Sequence, residues 1–119
     1  MITLNKKFTF DSAHKLENYD GKCKNLHGHT YIVMVFVQGE ISKENGMVID
    51  FKILEEIVEK EVLEKLDHKY LNDIIDLPTA ENTVKWIWQA LEDKFQDYKV
   101  KLYKLKLWEN PNSSVTYKK

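Results

Sequence analysis

His27-Gly28-His29 places two imidazoles two residues apart, at the edge of the most apolar run in the chain, Tyr31 to Val37. In an extended strand, residues i and i+2 share a face, so both rings can converge on one point. Metal binding is the commonest chemistry for such a pair. Zinc held by three protein ligands, with a fourth position open, is a catalytic arrangement. The search for a third ligand is short, because the chain has four histidines. His14 ends an alternating stretch, Ile2 to Lys15. There Ile2, Leu4, Phe8, Phe10, Ser12 and His14 share one parity, and Thr3, Asn5, Lys7, Thr9 and Asp11 the other. That pattern predicts a half-buried strand. Sequential strands usually pair, so a hairpin closed by a loop over Glu17 to Asn25 brings His14 to His27 and His29. Three neutral imidazoles suit zinc best among the common metals. The ordinary alternative is that each His is a satisfied core or surface residue, since His-x-His alone is a weak signal.

Three further places carry reactive groups. Cys23 lies four residues before His27. It reads as a fourth ligand closing a structural site, as a nucleophile or base beside an open site, or as a buried inert thiol. Its polar loop argues against burial, and Lys22 and Lys24 beside it favour the thiolate. Asp67-His68 puts a carboxylate next to an imidazole, which it can orient or whose pKa it can raise. Neighbours in sequence often do not face each other, so a polar pair at a helix terminus is the plainer reading. Glu109 ends an apolar strand and can accept paired N–H donors from a heterocycle, or be an ordinary solvated carboxylate. Trp86, Trp88 and Trp108 read as core or interface, and the Glu/Lys run from Glu55 to Lys65 as a solvated helix face.

The elements that must position these groups follow from periodicity. A second strand is expected from about His29 to Gln38, then a turn over Gly39 to Gly46. Asp50 is placed to cap a helix from Phe51 to about Leu66, with Leu54, Ile57, Val58, Val62 and Leu66 as its apolar stripe. After a connection over Asp67 to Leu77, Thr79 caps a second helix carrying Val84, Ile87, Trp88, Leu91 and Phe95. A third strand covers Val100 to Glu109, with Tyr103, Leu105 and Leu107 on one face and Glu109 following at the same parity. A turn at Asn110 to Asn112 leads to a fourth strand, Ser113 to Tyr117. The order ββααββ predicts an α+β fold, with a four-stranded antiparallel sheet and both helices on one face. Free sheet edges are a liability that pairing between subunits removes, which favours an oligomer.

At 119 residues the chain is read as one domain spanning 1–119. Such a length buries roughly 65% of its unfolded surface without staples. A net charge of −1 gives no global field for nucleic acid or anionic membranes. The single Cys excludes an internal disulfide. With no signal-peptide-like start and no long apolar run, the expectation is a cytoplasmic protein with neither membrane nor nucleic-acid partner.

Six segments, taken together, carry a family resemblance. They are Phe10-Asp11-Ser12-Ala13-His14, Cys23 to His29, Met47-Val48-Ile49-Asp50-Phe51, Leu66 to Asn72, Pro78 to Thr83 and Trp108-Glu109. The chain resembles the 6-pyruvoyl-tetrahydropterin synthase family along essentially its whole length. Within that family, the three residues between Cys23 and His27 resemble the bacterial branch that forms 6-carboxy-5,6,7,8-tetrahydropterin in queuosine biosynthesis. The pyruvoyl-forming enzymes have a longer gap there, and Cys23 excludes branches with Glu at that position.

The resemblance implies the tunnelling fold, whose sheets join into a barrel in a homo-oligomer, a hexamer or tetramer, with sites between subunits. It implies a carbon–carbon lyase that turns 7,8-dihydroneopterin triphosphate into 6-carboxy-5,6,7,8-tetrahydropterin, acetaldehyde and triphosphate. His14, His27 and His29 match the zinc ligands, and Cys23, Asp67 and His68 the catalytic groups. Glu109 matches the carboxylate that anchors the pterin ring. In those roles Cys23 takes a proton from carbon, His68 exchanges one on the other side, and Asp67 holds the imidazole. Lys22, Lys24 or Lys69 would meet the triphosphate. Two other readings stand beside this one: triphosphate loss to give 6-pyruvoyl-tetrahydropterin, and a non-catalytic zinc module closed by Cys23 with the three histidines.

Overall fold

Alternation along the N-terminal part of the chain becomes two long antiparallel strands, β1 (Ile2–His14) and β2 (His27–Gly39). They are seen in a computed structural model that describes residues 1–17, 20–21 and 24–119. Their ladder runs without a break from Ile2 opposite Gly39 to His14 opposite His27. Phe8, Phe10, Ser12 and His14 are buried, as are Tyr31, Val33, Val35 and Val37 on the partner strand. The buried parity of β1 is the expected one. β2 begins two residues before the expected start at about His29, because the ladder extends until His27 meets His14. Lys15 falls outside β1: its amide and carbonyl are taken by the Asn72 side chain, at 2.9 and 2.7 Å.

Asp50 caps α1 (Phe51–Val58), its carboxylate accepting the Lys52 amide at 2.8 Å. The helical path continues through a π-helical segment (Glu59–Leu63) into α2 (Glu64–Leu66). The wider π turn breaks the expected α period, so that neighbours Val62 and Leu63 are both buried. Thr79 caps α3 (Ala80–Leu91), accepting the Asn82 amide at 3.1 Å. Leu54, Val58, Val62, Leu66, Val84, Ile87 and Leu91 form one core with the inward residues of the sheet. Trp88 belongs to that core and Trp86 packs at its margin. Trp108 is half-exposed, with the Lys7 and Lys106 ammonium groups 5.5 and 4.8 Å from its ring centroid.

The remaining strands are β3 (Lys69–Tyr70), β4 (Lys101–Asn110) and β5 (Ser113–Tyr117), giving the order β3-β1-β2-β4-β5. The sheet is therefore five-stranded, not four-stranded. β3 lies parallel to Ser12 and Ala13 within the stretch expected to be a plain connection, and two residues are too few to show a strand period. β4 carries two irregularities. Leu102 pairs with Val37 and Lys104 with Phe36, leaving Tyr103 as an extra residue. Leu102 is consequently the buried residue there, rather than Tyr103. On the other side Trp108 pairs with Ser114 and Asn110 with Ser113, which leaves Glu109 as a second extra residue.

Candidate metal and catalytic site

The end of the β1–β2 ladder sets the first cluster. His14 and His27 are directly paired, and His29 pairs with Ser12, so all three imidazoles take the core-facing parity. His14 Nε2 lies 3.0 Å from His27 Nε2 and 3.1 Å from His29 Nε2. The rings meet edge-on, with interplanar angles of 65°, 80° and 89°. His14 is fully buried, whereas the His29 side chain keeps 19% of its exposure.

Backbone carbonyls choose the tautomers. His14 Nδ1–H donates to the Pro78 carbonyl at 2.7 Å, and His27 Nδ1–H to the Asn25 carbonyl at 2.7 Å. Each bond leaves Nε2 as the inward-facing nitrogen, and a carbonyl on the far nitrogen fixes the tautomer and orientation of a metal-binding histidine. Glu109 completes the surround, its Oε1 lying 3.2 Å from His14 Nε2 and 3.3 Å from His29 Nε2. Glu109 follows Leu105 and Leu107 at the core-facing parity of β4, which turns its side chain towards them. One proton on His14 can bridge to one of these partners, not to three. A cation can be shared among the nitrogens: tetrahedral zinc with bonds of about 2.0–2.1 Å separates its ligands by about 3.3 Å, close to the spacing found. These three histidines fit a metal.

The charges follow from the same contacts. Burial is the largest single influence on His14 and lowers its pKa. The hydrogen bond to Glu109, the Pro78 carbonyl and the Glu109 charge together outweigh it, so the ring titrates above its ordinary 6.5. His29 goes the other way: burial lowers it, Glu109 opposes, and the His14 and His27 charges add to the lowering. Glu109 is held below its ordinary value of 4.5, first by the His14 hydrogen bond, against burial, and then by the charges of the three rings.

A second cluster comprises Asp11, Asp67 and His68. Asp67 Oδ1 accepts the Asp11 amide at 2.9 Å, and the His68 amide donates to the Asp11 carbonyl at 2.6 Å. The Ser12 hydroxyl donates to the Leu66 carbonyl and ties the same corner to β1. His68 has a left-handed backbone (φ 58°), which brings its Nδ1 back to 3.0 Å from Asp67 Oδ2. The two neighbours therefore do face each other, contrary to the plainer reading of an adjacent pair. Asp67 is held below its ordinary 3.8, chiefly by the Asp11 amide, with burial opposing and His68 assisting. His68 itself is 77% exposed. Asp11 and its cross-strand neighbour Thr30 have the opposite parity to His14 and His29. The Asp67–His68 pair and the imidazole cluster thus lie on different sides of the β1–β2 ladder.

Cys23 and Lys22 lie outside the described residues. Side-chain patterning missed the carbonyls of Pro78 and Asn25 and the backbone of Asp11, because main-chain groups leave no residue-type signature.

A model of the family described as 6-pyruvoyl tetrahydropterin synthase matches residues 3–119. Over 142 aligned residues the chain is 34% identical to the 6-carboxy-5,6,7,8-tetrahydropterin synthase of Haemophilus influenzae, covering 98% of this chain and 99% of that one. Over 109 residues it is 43% identical to the dihydroneopterin monophosphate aldolase of Pyrococcus furiosus, covering 90% and 89%. Among solved structures, Caenorhabditis elegans 6-pyruvoyl tetrahydropterin synthase superposes with a TM-score of 0.87 at 29% identity, covering 99% and 95%.

Proposed function

The chain belongs to the 6-pyruvoyl tetrahydropterin synthase family, shares its tunnelling fold and is a lyase, and on that premise we propose that it converts 7,8-dihydroneopterin triphosphate to 6-carboxy-5,6,7,8-tetrahydropterin, acetaldehyde and triphosphate. One water enters to balance the atoms. The observation that carries the reading is the convergence of the three Nε2 atoms, with two rings fixed from behind by carbonyls. His14, His27 and His29 hold zinc, which when bound supplies a Lewis acid beside the substrate's hydroxylated side chain.

The protein's own groups divide the remaining work. Glu109 accepts paired N–H groups of the pterin and fixes the ring so that its side chain lies over the imidazoles, a positioning effect. Cys23 is the base that takes a proton from carbon, and His68 exchanges a proton on the opposite side. Asp67, held ionised, accepts His68 Nδ1–H and turns Nε2 towards the substrate. Because that pair and the imidazoles lie on different sides of one ladder, His68 serves the metal of an adjacent subunit in a homo-oligomer. Residues 1–119 act as one domain, in queuosine biosynthesis. Among the described residues no helix is long and apolar enough to cross a membrane; the proposed setting is the cytoplasm.

A second reading has support of its own: the 43% identity to a dihydroneopterin monophosphate aldolase favours cleavage of a monophosphate. Product analysis separates the possibilities. Zinc-loaded protein is incubated with dihydroneopterin triphosphate, and separately with the monophosphate, and the products are identified by mass spectrometry. The proposal expects 6-carboxy-tetrahydropterin and acetaldehyde from the triphosphate. A 6-pyruvoyl product, or turnover of the monophosphate alone, overturns it.

A further inference from the structure

We propose that Asn82 is a positioning residue for the metal site, acting through the Leu77–Pro78–Thr79 turn on the tautomer and aim of His14; the inference rests on the reading of His14 as a metal ligand. The chain of contacts is short. His14 is fully buried and gives its Nδ1–H to the Pro78 carbonyl at 2.7 Å. That carbonyl sits in a tight turn in which the Thr79 amide donates to the Leu77 carbonyl, also at 2.7 Å. Leu77 has φ 46°, a left-handed backbone that a leucine adopts only where its surroundings hold it. The residue is 49% exposed, so packing does not supply the hold. The Leu77 carbonyl does: besides the Thr79 amide it accepts the Asn82 side-chain amide at 2.9 Å. Asn82 reaches back from the first turn of α3, whose Thr79 cap bonds the Asn82 main chain and not its side chain.

Removing the amide takes one of two donors from the Leu77 carbonyl. The strained residue relaxes, and the Pro78 carbonyl moves away from His14. The imidazole is then free to carry its proton on Nε2, the atom a metal needs as a lone pair. Helix propensity offers no competing reason for an asparagine here. The residue is exposed, and alanine is the better helix former.

The test uses Asn82→Ala, which deletes the donor, and Asn82→Asp, which keeps the size, replaces the donor with an acceptor and suits a helix N-terminus. Zinc affinity is measured by competition with a chromophoric chelator. Unfolding temperature is measured on the metal-free proteins, and visible absorption on the cobalt-loaded ones. Loss of a group that orients a metal ligand typically weakens binding about 10–100-fold. We expect zinc affinity near the lower end of that range in both variants, an altered cobalt spectrum, and an unfolding temperature equal to the parent's. Affinity within about twofold of the parent overturns the inference. So does a parallel fall in affinity and unfolding temperature, which would mark a general structural role. His14→Ala is the separate control: undiminished zinc affinity there would remove the ligand reading itself.

Discussion

Glu109→Gln tests whether the carboxylate beside the imidazoles is an acceptor for substrate. Its Oε1 lies 3.2 and 3.3 Å from two ring nitrogens, and its side chain is 22% exposed. In the proposed role both oxygens accept pterin N–H groups; glutamine keeps one acceptor and turns the other into a donor facing a donor. Mispairing a buried polar group costs roughly 1–3 kcal/mol, and at about 1.4 kcal/mol per decade that is about 5–150-fold in affinity. Residual exposure lets water relieve part of the mismatch, which places the expectation in the lower part of that range, about 5–30-fold. The three histidines and the carbonyls behind two of them are untouched by the change, so zinc content is expected to stay the same. The assay is titration calorimetry of zinc-loaded protein with a pterin that lacks the triphosphate and does not react. Unaltered affinity refutes the anchoring role. Loss of zinc alongside affinity refutes the separation of anchor from metal site.

Other perturbations act on single links of the same arrangement. His27→Ala removes one of three converging nitrogens, so elemental analysis is expected to find the zinc gone while circular dichroism shows the fold retained; full zinc occupancy counts against the ligand set. Cys23→Ala is expected to keep its zinc and bind pterin while turnover falls about 10²–10⁴-fold, the usual cost of a lost general base. Metal loss there would make the thiol a structural ligand, and near-normal turnover a bystander. Asp67 has a folded pKa below its ordinary 3.8, so its ionisation contributes stability that is present above that value and is lost as pH falls through the folded one. The urea midpoint of Asp67→Asn should therefore lie below the parent's at neutral pH and approach it below about pH 4; a gap independent of pH contradicts the assignment.

How much of this was legible in the sequence depends on whether a feature is local and side-chain-borne. The β1–β2 hairpin was readable because burial alternates with the residue parity itself, and the histidine cluster followed once that hairpin was assumed. The caps at Asp50 and Thr79 were readable because a short side chain serves an amide two or three residues on. β3 was not, being two residues long, nor was the π turn that buries Val62 and Leu63 together. The extra residue at Tyr103 switches the buried parity from Val100 and Leu102 to Leu105 and Leu107, a switch the apolar tyrosine masks by extending the later parity backwards, and the one at Glu109 follows the last buried residue of the strand and so leaves no mark on the pattern. The carbonyls of Pro78 and Asn25 have no residue-type signature at all. These misses are not scattered at random over the fold. His68 faces Asp67 because its φ is positive, and Pro78 is presented to His14 by a turn with Leu77 at φ 46°. Each is a departure from regular backbone that aims a group which a regular strand or helix would point elsewhere. Sequence periodicity reports regular backbone, so it locates the scaffold of a site more readily than the deviations that direct its functional groups.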